Sequence, residues 1–182
     1  AAVVGITTGI VIGRSMLAES IIRPIFEIFR PIPGIARIPM AILWFGIGEK
    51  AKYFIIFMGG LSHLVVNTYA GAIRVDYELI GVAQMLGAKK WQIFFHVVLP
   101  SCVPYVFAGL QVALSTCWMA VLAAEMVSST EGLGFIIVSG RESINTTLIF
   151  VGILSIARIG LLHATVLRAS ERKLCVWKAK GR

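Results

Sequence analysis

GVAQMLGAKKWQIFFHVVLP, residues 81–100, sets a lysine-bearing amphipathic segment between two strongly apolar stretches. Val82, Met85, Leu86, Ile93 and Phe94 recur near helical spacing, which predicts one helix with a continuous apolar side. It is expected to start near Asp76 and Glu78 and to stop at Leu99 and Pro100, where proline cannot continue a helix. Such a helix needs an apolar groove on one side and water on the other. It reads as a soluble handle on a membrane protein.

Composition leads to the membrane by a separate route. Hydrophobic residues make up 58% of the chain, charged residues 14%, and the mean hydropathy is +0.87, all far from a soluble domain. A crossing needs about 20 mostly apolar residues, and such stretches fall at about 1–17, 32–48, 51–73, 101–126 and 146–168. The expected fold is an all-α polytopic bundle of about five spans over residues 1–168, with a loop at about 75–100 and a basic tail at 169–182. Pro31, Pro33 and Pro39 make the second span a broken or partly re-entrant element. Glu49, Lys50 and Lys52 mark a tight turn after it. Gly5, Gly9 and Gly13 form two overlapping GxxxG patterns suited to close helix packing. Residues 127–146 read as an outer loop containing a short interfacial helix.

The cations orient this bundle. Arg14, Arg23, Arg30, Arg37, Arg74, Lys89, Lys90, Arg168, Arg172, Lys173, Lys178, Lys180 and Arg182 fall on one side in the span assignment. Lys50, Lys52 and Arg141 fall opposite, and Arg158 lies within the last span. The positive-inside rule then makes the 75–100 loop and the C-terminus cytoplasmic and starts the chain on the outer side. The net charge of +8 is explained by this sorting and by contact with anionic membrane lipid. Scattered basic residues without a groove-reading motif argue against nucleic acid.

Chemistry-bearing motifs are sparse. His63, His96 and His163 are isolated, and Cys102, Cys117 and Cys175 form neither a CxxC pair nor a disulfide framework. No catalytic, metal or cofactor site is expected. No GxxxxGK[ST] loop occurs, so ATP hydrolysis of the P-loop kind would need another polypeptide.

From Gly87 through Val97 to Leu99 and Pro100, the opening stretch resembles the EAA loop of permease subunits of binding-protein-dependent ABC importers. One departure is that Gly81, Val82 and Ala83 stand where the family carries Glu-Ala-Ala. Glu78 lies about one helical turn earlier. The resemblance extends to Arg30-Pro31-Ile32-Pro33, Pro39, the run Leu43 to Glu49, Asn67 to Gly71, and Ala124-Glu125 before Gly132-Leu133-Gly134. These features are similar to the branch importing nitrate, bicarbonate, taurine, aliphatic sulfonates and some vitamin precursors.

The resemblance implies an inner-membrane permease subunit of bacteria that is not itself an enzyme. Implied partners are separate ABC ATPase subunits holding ATP and Mg, an external solute-binding protein and a second permease copy as a homodimer. Six spans are expected in the family, so the sequence reads as lacking one upstream. Gly81, Ala83, Gly87, Ala88, Lys89, Lys90, Leu99 and Pro100 are the implied ATPase-coupling residues. Gly87 is expected to permit a bend or a close backbone approach, and Ala88 to keep the same face small. The lysines could pair with carboxylates on the ATPase, or simply enforce orientation.

Polar residues at membrane depth are costly unless they face protein or a water-filled path, which makes Asn67, Gln111, Ser115, Glu125 and Arg158 candidates for a translocation pathway. Interhelical hydrogen bonding is the alternative for them, and snorkelling or a cross-helix partner for Arg158. Three other readings stand beside the permease. One is a truncated fragment that transports nothing. Another is the coupling component of a vitamin importer, whose Ala-Arg-Gly signatures are absent here. The last is a membrane-embedded enzyme or redox carrier, which lacks clustered acids or paired histidines.

Overall fold

The structure, a computed structural model, describes residues 1–29, 32–128 and 130–175. Arg30, Pro31, Lys178, Lys180 and Arg182 of the orientation and family readings lie outside the described residues, as does the second half of the basic tail, residues 176–182. The described residues form helices and no strand: α1 (Ala2–Arg14), α2 (Met16–Phe29), a 3-10 turn (Gly34–Arg37), α3 (Ile38–Phe45), α4 (Glu49–Ile73), α5 (Tyr77–Met85), α6 (Lys90–Ile93), a π turn (Phe94–Val98), α7 (Leu99–Ser128), α8 (Leu133–Glu142) and α9 (Thr146–Leu174). Among the described residues, three helices are long and apolar enough to cross a membrane: Glu49–Ile73, Lys90–Val127 and Thr146–Leu174. The all-α membrane bundle expected from composition is therefore present.

Glycine sets the spacing of the central helix pair. A Cβ built on Gly71 would stand 2.7 Å from Tyr105 Cβ, one on Gly109 2.9 Å from Asn67 Cβ, and one on Gly60 3.1 Å from Cys117 Sγ. These matched positions run in opposite directions along α4 and α7, so the two helices are antiparallel and nearly touch backbone to backbone. Cys117 also donates to the Ile56 carbonyl across the seam at 3.3 Å. The GxxxG reading of α1 holds in the same terms. Gly5 faces Leu64, Gly9 faces Thr68 and Val65, and Gly13 faces Ala72, so α1 runs parallel to the second half of α4.

The first two predicted spans need correction. α1 ends at Arg14, and the chain then reverses into α2, which overlaps the end of the expected span 1–17 and fills most of the stretch before the expected span at 32. Tyr69 donates to Glu19 at 2.5 Å, while Arg23, Phe26 and Glu27 border Val65 and Val66. Further on, Arg37 borders Met58 and Ser62, and Ile38 and Ala41 pack with Ala51, Ile55, Ala120 and Ala124. Phe45 finally meets Phe54 at 5.1 Å between ring centroids. α2, the 3-10 turn and α3 thus follow one another along the length of α4, beginning well before the predicted residue 32. Glu19, Arg23 and Glu27 hid this in the sequence. They pair along α2 at 3.1 and 2.9 Å, which makes their presence on an apolar helix cheaper.

The predicted turn at Glu49, Lys50 and Lys52 lies slightly earlier, at Gly46 to Gly48, and those three residues open α4. The helix stop at Leu99 and Pro100 is also corrected, since α6, the π turn and α7 form one continuous rod. Proline lacks a donor and its ring clashes with the carbonyl four residues back. Here the widened turn at Phe94–Val98 precedes it, with Leu99 N–H donating to the Phe94 carbonyl, and shifts the hydrogen-bond ladder where the ring must fit. The short helix expected after residue 127 is α8. α9 packs mainly on α8, where Gly152 seats against Ile137, and continues past residue 168 to Leu174 without a break.

Candidate functional site

Between α4 and α7 the chain builds a small two-helix projection. Asp76 caps α5 by accepting from Glu78 N–H at 2.9 Å. α5 ends where Gly87 N–H donates to the Gln84 carbonyl and Ala88 N–H to the Ala83 carbonyl, both at 3.0 Å. Gly87 sits at φ +79°, a left-handed conformation that costs other L-residues strain. Lys89 N–H then donates to Gln92 Oε1 at 2.8 Å and starts the second helix.

The predicted single apolar side is consequently split in two. Ile80 and Ile93 are buried with Ala72, Val75, Val98 and Cys102, and Ala83, Ala88, Phe94 and Val97 pack around them. Val82, Met85 and Leu86 point away instead, with Met85 87% and Leu86 83% exposed. The left-handed turn at Gly87 breaks the helical phase that the sequence reading had extended through it. Leu79, Trp91 and Phe95, which that reading missed, join the exposed apolar rim. Trp91 and Phe95 hold each other edge to face at 4.9 Å. Their signal in the sequence was the aromatic run beside Gly87, readable only once the turn is known.

Of the predicted coupling residues, Gly87, Lys89 and Lys90 lie at the exposed tip, and Gly81 is half-buried with nothing within 4 Å of a built Cβ. Ala83 and Ala88 face the projection's own core, so the small face assigned to Ala88 is turned inward. Leu99 and Pro100 are half-buried inside the α6–α7 rod.

The five polar candidates within the bundle do not form one lining. Asn67 donates to the His63 carbonyl at 2.8 Å and fills the α4–α7 seam opposite Gly109. Gln111 and Ser115 share the wall of a cavity of about 450 Å³ with Trp118 and His163, and Gln111 donates to Glu171 at 3.0 Å. Arg158 is exposed on α9, which contributes Gly160 and His163 to that wall.

Glu125 has a local task. Its Oε2 accepts from Gly134 N–H at 2.8 Å, supplying the start of α8 with the side-chain cap that Gly132 lacks. A Cβ on Gly132, at φ +115°, would stand 2.5 Å from the carboxylate carbon, so the Ala124-Glu125 and Gly132-Leu133-Gly134 motifs are two halves of one contact. Glu125→Ala is expected to cost about 0.5–2 kcal/mol, as other lost caps do. Hydrogen exchange should show faster amides in the first turn of α8 and little change in α4.

Among the described residues, no group of three or more His, Cys, Asp or Glu side chains could hold a metal ion.

Comparison with known proteins bears on this arrangement. Residues 3–175 match the family described as the binding-protein-dependent transport system inner membrane component. The taurine transport system permease protein of Escherichia coli (strain K12) is 37% identical over 173 residues, covering 95% of this chain and 63% of that protein. The nitrate import permease protein of Synechocystis sp. (strain ATCC 27184 / PCC 6803 / Kazusa) is 36% identical over 162 residues, covering 89% of this chain and 59% of that protein. The chain thus spans about three fifths of the length of these relatives. With its apolar helices and this match over nearly its whole length, the chain belongs to the inner-membrane components of binding-protein-dependent transport systems, in the nitrate, sulfonate and taurine branch of the ABC importer permeases.

Proposed function

We propose that this chain forms part of the membrane path for a small anionic solute, of the sulfonate, taurine, nitrate or bicarbonate type, and couples that path to a separate ATPase. The observation that carries the reading is the apolar rim of the α5–α6 projection, where Leu79, Val82, Met85, Leu86 and Trp91 are exposed although they sit beside the charged Lys89 and Lys90. Apolar side chains ringed by polar ones mark a docking surface rather than a solvated or lipid-facing one. The rim would seat in a cleft of the ATPase on the cytoplasmic side, with ATP and Mg held there. Because α6 continues into α7, movement of the seated projection is delivered along that rod to the α4–α7 pair. The π turn supplies a place for the rod to flex.

A second permease copy would complete the path, and an external solute-binding protein would deliver solute at the end carrying α8. The positive-inside distribution supports this orientation, with Arg74, Lys89, Lys90 and the last turns of α9 together on the cytoplasmic side of a bacterial inner membrane.

The docking reading is tested by co-purification. Leu86→Glu alters a side chain that packs on little of its own chain, so membrane abundance should match wild type. Recovery of the ATPase should fall at least about tenfold, the equivalent of 1.4 kcal/mol. Unchanged recovery would remove the rim from the interface.

A further inference from the structure

We propose that the groove between α7 and α9 holds an anionic phospholipid, with its phosphate at Arg168 and one acyl chain laid past His163 and Trp118. The proposal goes beyond the solute and ATPase readings and rests on neither, since it asks only that the bundle lie in a membrane.

Depth places the two ends of the groove. The apolar run of α9 from Leu148 to Leu167 is about 30 Å long at helical rise, the thickness of a bilayer's hydrocarbon core. Arg168 therefore emerges at headgroup level, on the side that the positive-inside distribution assigns to the cytoplasm. Arg172 follows one turn later on the same face, and both arginines are exposed. His163 lies about 7.5 Å further into the membrane than Arg168, at the level where a phospholipid held by its phosphate carries its glycerol esters and first methylenes.

The walls between these levels are amphipathic. They enclose a cavity of about 450 Å³, within the range of ligand sites, to which Leu114, Met119 and Leu167 bring apolar surface and Gln111, Ser115 and His163 bring polar groups. Met119 is 70% exposed, so the groove opens sideways, toward lipid. α9 itself is the least covered of the three crossing helices, with 6% of its most apolar stretch buried. A groove that is apolar along its length and ends in exposed arginine matches an amphiphile, whereas a small hydrated anion would meet mostly hydrocarbon there. Basic pockets between membrane helices on the cytoplasmic side suit anionic headgroups, and the guanidinium fork suits a phosphate.

His163 supplies a second observation. Its ring stands edge-on to Trp118 at 5.4 Å between centroids, and its Nδ1 is buried with no hydrogen-bond partner. Buried polar atoms in a native fold are nearly always satisfied. A lipid ester or glycerol oxygen in the groove gives this imidazole a partner that the described residues do not. Glu171, the carboxylate nearest this end of the groove in sequence, accepts from Gln111 at 3.0 Å, a tie that joins α9 to α7 and engages the negative charge.

The test uses the full-length permease reconstituted in phosphatidylcholine vesicles that contain brominated phosphatidylglycerol or, in parallel, brominated phosphatidylcholine at the same mole fraction. Bromine quenches tryptophan fluorescence at contact, and a Trp118→Phe protein isolates the part of the signal that comes from the groove. Trp118-dependent quenching should favour phosphatidylglycerol about fivefold in apparent association, the gain expected from one basic residue at an anionic headgroup. Arg168→Gln should erase that preference, and Arg168→Lys should keep most of it, both at wild-type abundance. Equal quenching of the wild type by the two lipids would overturn the site and leave ordinary lipid contact. Quenching of Trp118 by neither lipid would also overturn it, and would give the groove to protein, such as a second copy of the chain. An undiminished preference in Arg168→Gln would remove the phosphate from Arg168 and the proposal with it. The wild-type comparison needs no arginine variant, so it decides the matter even where Arg168→Gln inserts poorly.

Discussion

Gly87→Glu is expected to abolish ATP-coupled uptake while leaving the protein inserted and abundant. Two effects add at this position. The residue holds φ +79° at the tip between α5 and α6, so most side chains, glutamate among them, carry a left-handed penalty of about 1–2 kcal/mol. The tip also borders the exposed Leu86 and Met85, and a carboxylate there would be desolvated on docking. A Cβ at Gly87 meets nothing within 4 Å, so the chain's own packing is not disturbed. Gly87→Asn is the matching control, because asparagine tolerates the left-handed region without adding charge. Uptake assays should place Asn near wild type and Glu at least about tenfold lower, the equivalent of 1.4 kcal/mol in coupling. Equal loss in both variants would mean that the turn's shape matters and its docking does not.

Gly109→Leu is expected to act in the opposite way, by removing the folded protein rather than its coupling. The built Cβ stands 2.9 Å from Asn67 Cβ and 3.5 Å from the His63 carbonyl, within the α4–α7 seam. Inserting a branched side chain there forces the helices apart, and overpacking of this kind costs about 1–3 kcal/mol or more. It also displaces Asn67, whose amide donates to His63 within the same seam. Thermal denaturation in detergent should show a lower midpoint, and membrane abundance should fall. Gly81→Leu gives the contrast, since that glycine has open space around it. It should leave the melting temperature unchanged, and any defect should appear in ATPase binding. A stable, abundant Gly109→Leu protein would show that the α4–α7 seam is looser than described.

The apolar runs made α4, α7 and α9 legible from sequence, because a crossing helix is recorded directly in length and hydropathy. The GxxxG pattern likewise marked α1 for close helix packing, since small residues four apart can serve it, while its partner α4 appears only in the structure. What failed was phase and depth. Val82, Met85, Leu86, Ile93 and Phe94 keep helical spacing on paper, yet the left-handed Gly87 turns the second group away from the first. Pro100 suggested an end that the π turn absorbs. Arg37 was counted at a membrane face because α2, with Glu19, Arg23 and Glu27, did not look like part of a membrane-length segment. Only the contacts with Tyr69, Ser62 and Ile55 reveal the level at which each residue sits. Glu125 looked like a costly polar residue in an apolar helix, and its capping of α8 depends on a contact nine residues away that no periodicity encodes.

The most direct measurement of the central claim is site-specific photo-crosslinking in intact membranes, with a photoreactive residue at Met85 and, as a control, at Phe150 near the other end of the bundle. Both positions are exposed, at 87% and 60% respectively, so neither substitution disturbs packing. If the α5–α6 projection is the docking element, Met85 yields a covalent adduct with the ATPase subunit and Phe150 yields none. An ATPase adduct from Phe150, or none from Met85 in a membrane where the assembled transporter is active, would contradict the account.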